Sequence, residues 1–132
     1  MKAFFDTNVL VYVVSSDPRK SRAQALLRDR GFISAQVLSE FTNVVRNKMR
    51  HGWAEIASAL EQFLIALEPV IPLTLATHAA ALGLARDHSV AFYDALIVAS
   101  ALEAGCDTLF TEDMQDGRAF GKLTLRNPFR GQ

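Results

Sequence analysis

Ala3-Phe4-Phe5-Asp6-Thr7-Asn8 sets three apolar residues directly against three polar ones. An apolar run this short reads as a strand buried on both faces. The polar triplet stops it. The next apolar run, Val9 to Val14, is read as a short helix with Asp6 or Thr7 near its start. A strand buried on both faces needs neighbours, and short apolar runs recur down the chain. Phe32-Ile33 is a minimal second strand, Val70-Ile71 between Pro69 and Pro72 a third, Thr108-Leu109-Phe110 a fourth and Leu123-Thr124-Leu125 a fifth.

Helical patterns fill the intervals. Asp17-Pro18 resembles a cap followed by a first-turn proline, so a helix is expected from Pro18 to Asp29, with Gly31 behind it. Ser34 caps a helix through Lys48. Trp53 to Leu67 has the clearest helical period, with Ile56, Ala57, Leu60, Phe63, Leu64 and Leu67 on one face. Thr74 starts an alanine-rich helix to about Asp87, and Ala91 to Ala104 is a nearly all-apolar helix stopped by Gly105. Strands alternating with helices predict a three-layer α/β/α domain around a mostly parallel sheet of four to five strands. In such sheets sites form beyond the carboxyl ends of the strands.

The 132 residues leave room for one domain, 1–132, and half of them are hydrophobic, enough for a dense core. Fourteen basic residues balance fourteen acidic ones, which excludes a strongly basic body that holds nucleic acid by bulk charge. Cys106 is the only cysteine, so an internal disulfide and a cysteine-based zinc site are both excluded. The apolar stretch after Lys2 is broken at once by Asp6, and nothing in the chain reads as a signal peptide or membrane span. A cytoplasmic protein is expected.

The acids gain meaning from this frame. Asp6 follows the first strand, and Thr111-Glu112-Asp113 follows the fourth. Both sets can face one crevice, although singly each fits a helix cap or a polar turn. Glu40 falls at the edge of the face made by Val37, Phe41, Val44 and Val45. Asp94 is surrounded on its wheel by Ala91, Ala95, Val98 and Ala101, so it either caps its helix, pairs with a buried arginine or serves chemistry. Carboxylates gathered in one crevice repel each other and raise their own pKa values. A hard divalent cation relieves this, and Mg²⁺ or Mn²⁺ prefers oxygen ligands. One such ion activates a water for phosphoryl transfer, and two about 4 Å apart would stabilise attacking and leaving oxygens. Thr7, Asn8 and Thr111 are placed to orient ligands, and Asp116 competes with Asp113.

Phe5-Asp6-Thr7-Asn8-Val9-Leu10 resembles the opening motif of PIN domains, the ribonuclease fold of VapC-type toxins. Ser34-Ala35-Gln36-Val37-Leu38-Ser39-Glu40-Phe41, Tyr93-Asp94-Ala95-Leu96-Ile97 and Phe110-Thr111-Glu112-Asp113-Met114 are similar to the second, third and fourth motifs, in the same order. The resemblance implies a Mg²⁺- or Mn²⁺-dependent endoribonuclease with Asp6, Glu40, Asp94 and Asp113 as its metal-binding acids. It also implies a homodimer, an RNA substrate and an antitoxin partner in a type II toxin–antitoxin pair. A PIN nuclease of RNA processing, or an inactive RNA-binding or protein-interaction module on the same fold, remains open.

Arg46, Lys48, Arg50 and His51 read either as a phosphate-contacting patch or as a solvated helix end with basic residues complementing its dipole. His78 and His88 match no metal-ligand spacing. Trp53 and Phe63 are expected in core or dimer contacts, and Tyr12 and Phe92 in ordinary packing. A haloacid-dehalogenase-type phosphatase needs a second Asp where Asn8 stands. A receiver domain needs an acid within Ile71-Pro72-Leu73-Thr74, which has none.

Overall fold

The computed structural model describes residues 1–67 and 69–131. Its elements in order are β1 (Ala3–Phe5), α1 (Thr7–Val13), α2 (Lys20–Arg28), α3 (Ala35–Asn47), α4 (Trp53–Ala66), α5 (Leu75–His88), α6 (Phe92–Glu103), β2 (Thr108–Phe110), β3 (Ala119–Phe120) and β4 (Leu123–Arg126). The sheet order is β1-β2-β4-β3, with β1, β2 and β4 parallel and β3 antiparallel to β4.

The expected second and third strands shrink to single bridges, Phe4 with Phe32 and Ser34 with Ile71, both parallel. Their backbone bonds still extend the sheet beyond β1: Phe5 N–H donates to the Phe32 carbonyl and Ile71 N–H to the Ile33 carbonyl, each at 2.9 Å. Two apolar residues before a helix cap cannot carry a longer ladder. Gly31 makes the approach possible. A Cβ there would stand 2.5 Å from the Phe5 ring and 2.8 Å from the Ala3 carbonyl oxygen. The antiparallel strand Ala119–Phe120 was not expected. It folds back on β4 through Gly121, whose φ of 60° suits glycine.

Chain direction fixes where a site can form. From β1 the chain first crosses to the Phe32 side, and later returns through α5 and α6 to β2 on the other side of β1. Connections therefore diverge at the carboxyl end of β1, the place where open α/β sheets bind ligands.

Apolar side chains lock the layers around that point. Phe4, Phe5, Ile33, Leu109, Leu123 and Leu125 are buried in the sheet. Phe5 stacks on Phe110 at 5.9 Å, and Phe41 meets Phe63 edge-on at 5.1 Å, joining α3 to α4. Helix caps follow the sequence: Asp6 receives the Thr7 N–H, Ser34 the Val37 N–H and Thr74 the Thr77 N–H. The second helix is shorter than expected. Asp17 instead turns the chain, accepting the Arg19 and Lys20 N–H groups, and the helix starts at Lys20. The apolar stripe on α4 is narrower than its period suggests, because Ile56 and Phe63 are buried while Ala57 and Leu64 face solvent. No helix among the described residues is long and apolar enough to cross a membrane.

Candidate active site

Asp6 leaves the end of β1 as the N-cap of α1, so the capping reading and the site reading describe one side chain. Its Oδ1 accepts the Thr7 N–H at 2.7 Å. Its Oδ2 accepts the Thr111 hydroxyl at 2.8 Å. Strand register accounts for the second bond. Phe5 pairs with Phe110 across the parallel ladder, so the next residues on each strand, Asp6 and Thr111, emerge side by side. Asp6 is buried, and burial pushes its carboxyl up to about 6 despite both hydrogen bonds; the charges of Asp113 and Glu40 push the same way.

The other three acids arrive from separate segments. Glu40, half-buried on α3, accepts the Thr7 hydroxyl at 2.7 Å and the Gln36 amide at 3.2 Å. Asp94 stands in the first turn of α6 and makes no capping bond. No arginine pairs with it within 4.0 Å among the described residues, and its carboxyl accepts no hydrogen bond there. Partial burial raises its pKa, as do the charges of Asp113 and Glu40. Asp113, exposed in the loop after β2, accepts the Asn8 amide at 3.1 Å.

These four acids line a single cleft of about 460 Å³ with Thr7, Asn8, Val11, Tyr12, Asn43, Val44 and Ile97. No Lys, Arg or His is among the lining residues. Burial is the larger cause of the raised Asp6 and Asp94 carboxyls, and the charges of Asp113 and Glu40 add to it.

All the donors in this cleft are oxygens, the chemistry of a hard divalent ion. The Asn8 Oδ1 atom lies buried there with no hydrogen-bond partner among the described residues, a second feature that suits a cation. As the side chains stand, no three His, Cys, Asp or Glu residues among those described are close enough together to enclose an ion. Asp6, Glu40 and Asp113 are each engaged by a different hydrogen-bond partner. The residues fit such an ion in chemistry and in shared location, and enclosing it needs an inward turn of a side chain such as Asp94.

Asp116 does not compete with Asp113. It accepts the Asn127 N–H and pairs with Arg130, tying down the C-terminal segment away from the cleft. Lys48 and Arg50 are exposed and line neither the acidic cleft nor its neighbour. Arg46 lies in the neighbouring cleft, where its guanidinium covers the Trp53 ring at 4.4 Å and donates to the His51 carbonyl. Trp53 is 62% exposed, which removes it from the core.

Two groups escaped sequence reasoning. Gln36 bridges α3 to α6, donating both to Glu40 and to the Tyr93 carbonyl beside Asp94. Its place one turn before Glu40 was the available signal. Tyr12, expected only to pack, donates to Glu112 at 2.6 Å and accepts from Arg19, which also pairs with Glu112 at 3.4 Å. This latch joins α1 to the loop that carries Asp113, across 100 residues of sequence that no local pattern links.

Comparison with known proteins supplies a relationship for this arrangement. The family model described as PIN domain matches residues 3–118. No curated protein sequence matches the chain. Among solved structures, the Mycobacterium tuberculosis toxin VapC20, described as cleaving the sarcin–ricin loop, has 21% identity and a TM-score of 0.71, covering 85% of this chain and 90% of its own. A toxin–antitoxin complex from Klebsiella pneumoniae has 18% identity and a TM-score of 0.73, covering 97% and 98%. VapBC2 from Rickettsia felis, bound to a DNA fragment from its promoter, has 24% identity and a TM-score of 0.69, covering 96% and 98%. At these identities the likeness is one of fold.

Proposed function

The chain belongs to the PIN-domain family, and from that premise we propose that it is a Mg²⁺- or Mn²⁺-dependent endoribonuclease, the toxin of a type II toxin–antitoxin pair, acting in the cytoplasm. The observation that carries this is the cleft at the sheet switch point, lined by four acids from four segments and by no cationic side chain. Asp6, Glu40, Asp94 and Asp113 would hold the ion. When bound, such an ion shields the scissile phosphate and activates the attacking water.

The chain's own residues set the conditions for that chemistry. Thr111 and the Thr7 N–H fix both oxygens of Asp6, so this carboxylate meets a ligand already oriented. Thr7 and Gln36 do the same for Glu40, and Asn8 for Asp113. Asp94 has no such partner among the described residues and is the acid that can turn most readily toward a ligand. The charge of the four acids repels a phosphate placed at them, so the strand reaches them productively only once that charge is neutralised, while the neighbouring cleft stays open to it.

The antitoxin is proposed from the resemblance and from similarity to structures described as toxin–antitoxin complexes. The homodimer is proposed with support from Leu75 and Leu82, exposed apolar residues seven positions apart on α5. The test is incubation of purified protein with single-stranded and structured RNA and Mn²⁺, with Asp94→Asn alongside. Internal cuts by the wild type and none by the variant are expected. RNA bound but left uncut by the wild type would favour a binding module instead.

A further inference from the structure

Beside the acids, α3 and the start of α4 enclose a second cleft of about 530 Å³, lined by Leu38, Ser39, Thr42, Asn43, Arg46, Asn47 and Trp53. We propose that this cleft is a nucleobase subsite: Trp53 stacks an unpaired base of the RNA, and Asn43 with Asn47 reads its edge. The proposal rests on the nuclease reading and names where the strand lies outside the acids.

Three observations on different atoms converge here. The first is the indole. Trp53 is the only tryptophan, and the residue is 62% exposed at the first position of α4, where the core gives no reason for so large an apolar side chain. Arg46 covers the ring at 4.4 Å, placing a guanidinium beside an aromatic plane. Aromatic platforms with adjacent arginine are how proteins hold unpaired bases without demanding one sequence.

The second is the amide pair. The Asn47 amide donates to the Asn43 carbonyl at 2.6 Å. That leaves the Asn43 NH₂ as a donor and the Asn47 carbonyl as an acceptor, neither with an intramolecular partner among the described residues. A free amide donor and a free amide acceptor one turn apart on the same helix are groups that can pair with a nucleobase edge. The remaining hydroxyls are occupied within α3, since Ser39 donates to the Ala35 carbonyl and Thr42 to the Leu38 carbonyl.

The third is continuity. Asn43 lines both this cleft and the acidic one. Glu40, Asn43 and Asn47 are three and seven positions apart on α3, hence on one side of it. Seven residues of helix advance about 10 Å. One to three nucleotides span that distance, at roughly 3.4 Å each when stacked and more when extended. A strand whose phosphate lies at the acids therefore passes Trp53 within a few nucleotides. The charge pattern agrees: the acidic cleft has no cation among its lining residues, whereas the neighbouring one has Arg46.

The experiment uses the full chain in EDTA, where RNA is not cut, and reads the emission of its single tryptophan. Titration with a single-stranded RNA oligonucleotide is expected to quench Trp53, and the same strand in a duplex to quench it little. Binding of labelled single-stranded RNA is expected to weaken roughly ten-fold in Trp53→Ala and several-fold in Asn47→Ala, whose exposed position keeps the fold intact. With Mn²⁺, both variants are expected to retain cleavage at raised RNA concentration. Unchanged emission together with wild-type affinity in both variants, while the wild type binds and cuts RNA, would overturn this subsite alone. A wild type that neither binds nor cuts RNA would overturn the nuclease reading beneath it. Trp53 shielded from acrylamide by a co-purified protein, with RNA affinity equal in wild type and Trp53→Ala, would assign the cleft to a protein partner and overturn the proposal.

Discussion

Replacing Asp6 with Asn should stabilise the metal-free protein at neutral pH. Asp6 is buried in the acidic cleft, and its carboxyl is raised from 3.8 to about 6 by burial first and by neighbouring acids last. The difference of about 2 pKa units corresponds to about 3 kcal/mol by which the ionised form opposes folding. The sign follows from proton binding. Between the unfolded and folded pKa values the folded chain holds the extra proton, so stability falls as pH rises from about 4 through 6 and stays reduced above. Asn carries no charge. Its carbonyl can accept the Thr7 N–H and its amide can donate to the Thr111 hydroxyl, preserving both contacts. Allowing for imperfect geometry, a gain of about 1–3 kcal/mol is expected, or roughly 3–10 °C in Tm for a chain of this size. The assay is thermal unfolding followed by circular dichroism in EDTA, from pH 4 to 8, on both proteins. The difference should be largest above pH 6 and shrink toward pH 4. A variant as stable as the wild type or less at pH 7, with no change in the difference across the series, would refute the account of Asp6 as an uncompensated buried charge.

Mn²⁺ should raise the Tm of the wild type and do so much less in Asp6→Asn and Asp94→Asn, measured in the same buffer with and without the ion, because ligand binding stabilises only the state that holds the site. Gly31→Ala should lower stability by about 1–3 kcal/mol, read in urea unfolding, because its Cβ would press on the Ala3 carbonyl as well as the Phe5 ring. Tyr12→Phe should leave the circular dichroism spectrum intact yet weaken Mn²⁺ binding by roughly ten-fold, read by calorimetry, if the bond to Glu112 positions the Asp113 loop. Asp116→Ala should loosen the C-terminal segment, read by hydrogen exchange at Asn127, and leave Mn²⁺ affinity near that of the wild type.

Much of this architecture was legible because local chemistry and global fold agree. Ala3-Phe4-Phe5 ends at a residue that caps the following helix, and Ser34 and Thr74 cap theirs as their side chains dictate. The lapses have physical causes. Phe32-Ile33 is apolar enough for a strand but too short before its cap to form more than a bridge. Ala119–Phe120 is two residues of strand created by the turn at Gly121, with no alternation to reveal it. Asp6 and Asp113 could be gathered by the rule for strand ends, and Glu40 and Asp94 by their places on apolar helices, but their hydrogen-bond partners could be read only in part. Thr7, Asn8 and Thr111 stand next to acids in sequence, whereas the Tyr12–Glu112 latch depends on how α1 leans over the sheet. Trp53 lies outside the core although its neighbours on the wheel are apolar, because α4 turns its first residue outward beside Arg46.

The central claim is that one acidic cleft holds a divalent ion and cuts RNA there. Single-turnover cleavage of an RNA oligonucleotide, titrated with Mn²⁺, tests it most directly in the wild type, Asp94→Asn and Glu40→Gln. The account predicts cleavage that rises with Mn²⁺, vanishes in EDTA and falls by more than about 100-fold in Asp94→Asn, beyond what losing an outer partner costs. Cleavage that persists in EDTA, or that both variants share with the wild type, would contradict it.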